Sequence, residues 1–204
     1  MWLSEMTRGF RPVFDLYFTF DVSGERHVPR QGPGIIAANH SSFIDPWVLA
    51  IPFPRNIRQI INRGWYERSP AWQWFFDSNG TVPLEPSSTD GTFQVVERVL
   101  RDDELIGIFP EGRISDDGRL ARFRPGVAFL AARTGVPVVP VGIRGAFESL
   151  PRGRKWPRRR TIGIHIGEPL TFGPERDPGD RRALFRFRDE VREAIATLCG
   201  QPDA

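Results

Sequence analysis

Cysteine is almost missing from this chain: Cys199 is the single one among 204 residues. One cysteine excludes a disulfide framework within the chain, and it fits a reducing compartment. Long apolar runs are missing as well. The first eight residues lack the continuous apolar core of a signal peptide, and no stretch reaches the roughly 18 uncharged apolar residues of a membrane-spanning helix. We therefore expect neither a signal peptide nor a spanning helix, and a chain that is soluble or lies on a membrane surface.

Lysine is equally scarce, because Lys155 is the only lysine and the other 27 basic residues are arginines. Arginine binds phosphate through two parallel hydrogen bonds and, unlike lysine, does not act as a neutral base. The net charge of +3 suits an anionic lipid, a phosphorylated substrate or nucleic acid. The composition alone does not choose among these three partners.

The hydrophobic content of 40% is sufficient for one globular domain with a sizeable core. Asp45 is the expected N-cap of an early helix, with Pro46 at the first helical position. Hydrophobic periodicity predicts strands at 16–22, 35–38, 57–61, 105–109, 136–143 and 161–166, and further helices that open near 87, span 127–133 and place an apolar face between 184 and 198. Because strands alternate with helices, we expect an α/β fold: a single domain with a mainly parallel sheet flanked by helices.

A histidine and a carboxylate lie close together in the segment that runs from Asn39 to Asp45. A histidine held by a carboxylate can act as a general base near neutral pH. No Gly-x-Ser-x-Gly or His-Glu-x-x-His motif accompanies them. A base without an obvious protein nucleophile indicates that the nucleophile belongs to a substrate. His40 and Glu111 each follow a predicted strand, where α/β sheets gather their chemistry.

Three motifs occur in a defined order: Asn-His-x4-Asp at 39–45, Phe-Pro-Glu-Gly at 109–112 and Val-Pro-x-x-Pro at 136–140. With this spacing, the chain resembles the glycerolipid acyltransferases of the lysophosphatidic acid acyltransferase (PlsC) type, from about residue 30 to 170. The resemblance implies transfer of a fatty acyl group from acyl-CoA or acyl carrier protein to a lysophospholipid-type hydroxyl. It implies no metal and no cofactor beyond the acyl donor.

The resemblance also implies roles for particular residues. His40 is the expected general base, and Asp45 would orient its ring and stabilise the imidazolium, as the acid does in a serine-hydrolase triad. Glu111 and Gly112 belong to the block that positions the acceptor, where Glu111 would bond a hydroxyl or hold an arginine. The basic residues that could contact phosphate are Arg63, Arg113 and Arg124, although each could also be a solvated surface residue.

One departure from the family pattern concerns the acceptor. Relatives usually carry a Gly-x-x-x-x-Arg block between the two main motifs, whereas residues 80–86 contain no arginine. That arginine is associated with the acceptor phosphate. The acceptor would therefore be another lysophospholipid, a glycolipid or another hydroxyl or amine, unless one of the three arginines named above supplies the charge.

Several segments predict contact with a membrane. Residues 2–14 form an amphipathic pattern that either lies in the membrane interface or packs on the domain. We therefore separate residues 1–25, the N-terminal helix and first strand, from an acyltransferase domain at 26–204. Six aromatic residues at 65–76 would line an acyl-chain groove, sit at a headgroup boundary or fill a corner of the core.

Residues 152–160 hold six basic residues in nine, which favours attraction to an anionic membrane over a nucleic-acid patch or a solvated loop. Together these segments predict a peripheral or monotopic protein on the cytoplasmic side of the cell membrane. Two rival functions remain open at this point. One is a hydrolase that uses water at the same His-Asp site, and the other is a divergent membrane- or nucleic-acid-binding protein without activity.

Overall fold

A seven-stranded sheet organises the chain, and the computed structural model describes residues 12, 14–78, 80–84 and 89–202. The strands are β1 (Thr19–Ser23), β2 (Gly34–Ala38), β3 (Ile57–Asn62), β4 (Val82–Leu84), β5 (Leu105–Ile108), β6 (Val138–Arg144) and β7 (Thr161–Ile166). Their spatial order is β1-β7-β6-β2-β5-β3-β4. The helices are α1 (Asp45–Leu49), α2 (Arg63–Tyr66), α3 (Pro70–Ser78), α4 (Thr89–Arg101), α5 (Gly126–Thr134), α6 (Ala146–Ser149) and α7 (Arg181–Cys199), with a 3-10 turn at Glu25–His27.

All neighbouring strands run parallel except β6 and β7. The carboxyl ends of β6, β2, β5, β3 and β4 therefore lie at one edge of the sheet. Strands β7 and β1 run the opposite way, so both begin at that same edge. This edge collects the loops that follow five strands, which is where binding and catalytic groups are usually placed in such sheets.

The central strands are buried on both faces, which explains their continuous apolar sequence. Along β2, Ile35 and Ala37 join one core cluster, and Ile36 and Ala38 join the other. Helices α4, α5 and α7 cover the first face, and α1 covers the second. Complete burial of a side chain such as Ile36 contributes about 1.5–3 kcal/mol relative to exposure. The sheet is thus held rigidly between two apolar layers.

The predicted α/β class with a mostly parallel sheet flanked by helices is confirmed. The strands predicted at 35–38, 105–109 and 161–166 match β2, β5 and β7 to within a residue. Helices α2 and α3, the short helix α6 and the short strand β4 were not predicted. The predicted helix at 2–14 lies outside the described residues apart from 12 and 14. The division at residue 25 stays a prediction, and β1 from the first part pairs with β7 in the sheet.

The predicted N-cap role of Asp45 is wrong. Asp45 is the first residue of α1, and the capping position is Ile44, which has no side-chain bond to the helix. The Asp45 carboxylate points back towards the preceding loop, where it accepts hydrogen bonds from backbone amides. None of the helices within the described ranges is both long and apolar enough to cross a bilayer.

Candidate active site

The side chain of Asn39 holds the start of the loop after β2 against β6 through two hydrogen bonds. The side-chain Nδ2 of Asn39 donates to the carbonyl oxygen of Ile143 at 2.9 Å, and the Ile143 amide donates to Asn39 Oδ1 at 2.7 Å. This amide side chain continues the pairing between β2 and β6 after Ala38. The direction of the chain at the next residue, His40, is therefore determined by two buried hydrogen bonds. Sequence reasoning assigned no role to Asn39, although it belongs to the motif.

The structure brings His40 and Asp45 together, with 3.0 Å between His40 Nδ1 and Asp45 Oδ2. The same oxygen accepts the backbone amides of Ser41 at 2.6 Å and Ser42 at 2.7 Å, and Asp45 is fully buried. A carboxylate only accepts hydrogen bonds, so Nδ1 must be the donor. The neutral ring then carries its lone pair on Nε2, which is the atom that can take a proton from a substrate.

The imidazole of His40 is packed on one face by an aromatic ring and is partly exposed. Its ring stacks on Phe109, with 4.1 Å between the ring centroids and 21° between the planes. Its side chain is 15% exposed, and no described residue bonds to Nε2. The stack and the bond to Asp45 hold the ring while Nε2 stays available. This arrangement can serve as a general base, and the contribution of Phe109 was not foreseen from the sequence.

Glu111 is buried beneath the same loop and binds two backbone amides. Its Oε1 accepts from the amide of His40 at 2.8 Å, and its Oε2 accepts from the amide of Ala121 at 2.9 Å. The amide of Ser115 donates to the carbonyl oxygen of His40 at 2.8 Å. Both backbone polar groups of His40 are thus held by the segment after β5. The predicted contact of Glu111 with the acceptor stays a prediction, and no described arginine bonds to this carboxylate.

The environment of Glu111 affects its protonation. Burial raises the pKa of this carboxyl above its usual value, and the hydrogen bonds from the His40 and Ala121 amides oppose that rise. Burial disfavours the charged form because the surroundings solvate it less well than water does, whereas amide donors favour it. Glu111 therefore takes up a proton at a higher pH than an exposed glutamate does.

Gly112 permits a close approach of Arg124 to the turn after β5. The φ angle of Gly112 is 72°, and a Cβ atom there would lie 2.6 Å from Arg124 Nε. The Arg124 amide donates to the carbonyl oxygen of Pro110 at 2.8 Å, which fixes its backbone beside the turn. Arg124 is exposed and forms no ion pair with any described acid. The structure therefore places one predicted arginine directly at the Pro-Glu-Gly turn.

The other two predicted arginines lie at the same edge but are engaged by neighbours. Arg113 is exposed and pairs with Asp116 at 3.1 Å, and Asp116 also pairs with Arg152 at 2.9 Å. Arg63 opens α2 after β3 and pairs with Glu67 at 2.7 Å. Exposed pairs of this kind contribute little stability and exchange readily. Both arginines thus pair with nearby acids, Arg113 with Asp116 and Arg63 with Glu67.

An aromatic surface adjoins the His40 loop, formed by Phe43, Trp47 and the rings of α2 and α3. Phe43 contacts Trp65 with 5.7 Å between centroids, and Trp47 contacts Phe75 at 5.5 Å. No residue of α3 is buried, and Trp74 is 73% exposed. The interpretation of this segment as a core corner is therefore wrong. A groove of about 410 Å³ is lined by Trp47, Ala71, Trp72, Trp74 and Phe75.

Within the described ranges, no three side chains of His, Cys, Asp and Glu come close enough to hold a metal ion together. The expectation of a reaction without metal stays a prediction. The groups gathered at this edge are a histidine–carboxylate pair, a buried glutamate and an exposed arginine.

Known proteins resemble this chain in both sequence and fold. A family model described as Acyltransferase matches residues 19–144, more than half of the chain. The chain is 31% identical over 145 residues to the chloroplastic 1-acyl-sn-glycerol-3-phosphate acyltransferase BAT2 of Brassica napus, which is 69% of this chain and 41% of that protein. It is 29% identical over 151 residues to human 1-acyl-sn-glycerol-3-phosphate acyltransferase beta, covering 72% and 53% of the two chains.

The crystal structure of the 1-acyl-sn-glycerophosphate acyltransferase PlsC from Thermotoga maritima superposes with a TM-score of 0.79, over 99% of this chain and 80% of that one. At a sequence identity of 24%, this superposition shows a shared fold. The chain spans less than two thirds of the length of the two curated relatives. The match to the family model includes the histidine–carboxylate pair and the glutamate turn, and this chain belongs to the acyltransferase family.

Proposed function

We propose that this protein is an O-acyltransferase of the 1-acylglycerol-3-phosphate type, which moves a fatty acyl group from a thioester donor to the hydroxyl of a lysophospholipid-type acceptor. The observation that carries the proposal is the 3.0 Å contact between His40 and Asp45, with the His40 side chain 15% exposed and no described residue bonded to Nε2. Membership of the acyltransferase family and the names of the two curated relatives support the same reaction.

The proposed reaction is a direct attack by the acceptor. Nε2 of His40 takes the hydroxyl proton while the acceptor oxygen forms a bond to the thioester carbonyl carbon. Collapse of the tetrahedral intermediate breaks the carbon–sulfur bond, and the imidazolium returns its proton to the departing thiolate. Asp45 stabilises the imidazolium between these two proton transfers. Neither step consumes a group of the protein.

The single cysteine is poorly suited to form an acyl-enzyme. Cys199 is buried at the end of α7, and its thiol donates to the carbonyl oxygen of Ala196. Burial raises the pKa of this thiol, which lowers the fraction of the reactive thiolate. A mechanism that uses the acceptor hydroxyl as the nucleophile is consistent with both observations.

Arg124 is the strongest candidate for the acceptor's anionic group. It lies against Gly112 and has no ion-pair partner among the described acids, so its guanidinium is available for a phosphate. Arg113 and Arg63 would have to leave Asp116 and Glu67 to do the same. We infer that Arg124 supplies the charge that the segment 80–86 lacks.

We propose peripheral or monotopic attachment to the cytoplasmic side of a membrane, and the aromatic surface supports the attachment itself. Exposed tryptophans such as Trp72 and Trp74 favour the boundary between headgroups and acyl chains. Arg68 lies over the ring of Trp65 at 4.7 Å, which places a cation beside the rings where anionic headgroups would lie. The apolar groove between α1 and α3 is open to an acyl chain.

The test is transfer of a labelled acyl group, from acyl-CoA or from acyl carrier protein, to a panel of lysolipids and sugars with products identified by mass. His40→Ala should abolish transfer and leave liposome binding intact. His27→Ala is the matched control, because His27 bonds the carbonyl of Ile166 away from the site. Transfer that survives His40→Ala would show that the mechanism is wrong. Thioester turnover that does not depend on an acceptor would identify a hydrolase.

A further inference from the structure

The backbone of His40 is held by one loop, residues 111–121, which follows β5. Glu111 accepts the His40 amide, and the Ser115 amide donates to the His40 carbonyl oxygen. The far end of the loop returns to the same carboxylate, because the Ala121 amide donates to Glu111 Oε2 at 2.9 Å. The position of Glu111, and with it the position of His40, therefore depends on what holds the far end of the loop.

Gln201 holds that far end from a distant part of the chain. Its Oε1 accepts from the Leu120 amide at 2.8 Å, and its Nε2 donates to the carbonyl oxygen of Gly118 at 2.9 Å. Two consecutive amides of the loop are thus bound by two different side chains. The Leu120 amide bonds to Gln201, and the Ala121 amide bonds to Glu111.

Helix α7 gives Gln201 a firm base. The Gln201 amide donates to the carbonyl oxygen of Ala196 at 2.7 Å, just past the end of the helix. Ile195 of the same helix is fully buried in the core. From the preceding turn, Arg192 Nε donates to the carbonyl oxygen of Ala121 at 3.3 Å. The loop is therefore attached to a helix that the core holds in place.

The middle of the loop is tied by its own hydrogen bonds. Ser115 Oγ donates to the carbonyl oxygen of Arg119 at 2.9 Å, and the Arg119 amide donates to Asp117 Oδ1 at 3.0 Å. Gly118 has a φ of 79°, and a Cβ atom there would lie 2.7 Å from the ring of Phe147 in α6. The loop thus rests directly on α6, and a network of this kind passes a displacement of one end to the other.

We propose that Gln201 is a positioning residue for His40, which it reaches through the loop and the Glu111 carboxylate. The inference rests on the proposed acyl transfer, because it concerns the geometry of the base in that reaction. Asp45 and Phe109 hold the imidazole ring, whereas Gln201 holds the backbone from which the ring projects. A misplacement of about 1 Å in a reacting group can lower a rate by about 100-fold.

The alternative is that Gln201 contributes to stability alone. Leu120 is buried in the core, so the loss of its amide's acceptor lowers the stability under either account. A purely structural role would reduce the folded fraction and leave the turnover of each folded molecule unchanged. A positioning role lowers that turnover as well.

The experiment compares Gln201→Met with two controls. Methionine keeps the length of the side chain and removes both of its hydrogen-bonding atoms. Gln94→Met makes the same change at an exposed position of α4, and Ile195→Val destabilises α7 while Gln201 stays in place. Acyl transfer is measured at saturating substrates, and kcat is corrected for the folded fraction obtained from urea titration.

We expect Gln201→Met to lower the corrected kcat by about 10- to 100-fold and to change KM for the acceptor by less than about threefold. The NMR resonance of the His40 amide should move, because its hydrogen bond to Glu111 is altered. Gln201→Glu keeps an acceptor for the Leu120 amide and loses only the donor to Gly118, so its kcat should fall by a smaller factor. Both controls should match the wild type in the corrected kcat and in the His40 resonance.

An unchanged corrected kcat in Gln201→Met would overturn the inference, and so would an equal loss in Ile195→Val. A higher KM for the acceptor at unchanged kcat would also overturn it, because Gln201 would then act on acceptor binding. If Gln201→Met does not fold, an unchanged kcat and an unmoved His40 resonance in Gln201→Glu have the same consequence. If the wild type transfers no acyl group, the proposed function fails, and the His40 resonance still decides whether Gln201 holds this backbone.

Discussion

Replacing Asp45 by asparagine removes one negative charge and leaves the shape of the side chain almost unchanged. In the structure a single oxygen, Oδ2, accepts hydrogen bonds from the His40 ring and from the amides of Ser41 and Ser42. The other oxygen, Oδ1, is buried and has no hydrogen-bond partner. The amide of asparagine can therefore put its oxygen at the Oδ2 position and keep all three bonds, with its nitrogen at the position of Oδ1.

Asp45→Asn is expected to lower both the stability of the protein and its kcat. The buried nitrogen of the variant would find no acceptor, which destabilises the protein by about 1–3 kcal/mol. The larger loss is the interaction between Asp45 and the imidazolium that forms during transfer. At 3.0 Å and an effective dielectric constant of about 20, that interaction is about 5 kcal/mol. A loss of this size lowers kcat by up to about 10⁴-fold, which agrees with the effect of removing the acid from a serine-hydrolase triad.

The assay is acyl transfer to a lysophospholipid at saturating donor, with urea titration of the same preparation to measure the free energy of unfolding. Asp102→Asn, on the exposed turn after α4, is the matched control and should behave as the wild type in both assays. KM for the acceptor should change little, because Asp45 is fully buried.

A variant that keeps kcat within about threefold of the wild type would refute this reasoning, since the charge would then contribute less than about 1 kcal/mol. A loss of activity explained entirely by unfolding at the assay temperature would refute it as well. In that case Asp45 would hold the loop in place without acting on the imidazolium.

Two further substitutions test the turn after β5. Glu111→Gln should lower kcat more than it raises KM for the acceptor, because the carboxylate holds the backbone of His40. Burial raises the pKa of Glu111 above 4.5, so the stability that this carboxyl contributes is present below about pH 4.5 and is lost as the pH rises through the folded-state pKa. The stability advantage of the wild type over this variant, measured in urea, should therefore shrink with rising pH. Gly112→Ala should cost about 1–2 kcal/mol for its positive φ and also raise KM for the acceptor, because a Cβ atom displaces Arg124. Gly32→Ala is the control, because Gly32 has a φ of 74° and open space around it; it should lose stability without a change in KM. An unchanged KM in Gly112→Ala would show that Arg124 is not part of the acceptor site.

Local patterns predicted several strands whose residues are mostly buried. Strands β2 and β5 are apolar runs because both of their faces are covered, and in β7 the exposed Thr161 and the half-buried His165 interrupt the apolar residues. Helix α3 was not predicted. None of its residues is buried, so its aromatic side chains follow no single apolar face. Strand β4 is three residues long, includes Pro83 and lies at the end of the sheet order. A short edge strand of this kind carries little periodic signal.

The role of Asp45 shows a limit of local rules. An aspartate before a proline is a common helix cap, and nothing within the segment signals that the carboxylate turns back to the His40 ring. Whether Asp45 caps the helix or bonds the His40 ring depends on the conformation of the loop after β2. That conformation is set by Asn39, whose partner Ile143 is more than a hundred residues away in the chain.

The amino-acid sequence by itself determined the class of fold, the order of the motifs and the presence of a histidine and an acid separated by four residues. These features are local, and periodicity or spacing encodes them directly. Only the tertiary structure decided which groups meet. Strand β2 lies between β6 and β5, so Asn39 is held from one side and the backbone of His40 from the other by Glu111. The order of strands depends on packing across the whole sheet, because backbone pairing is much the same for any strand, whereas side-chain pairs and the pattern of buried faces differ between neighbours.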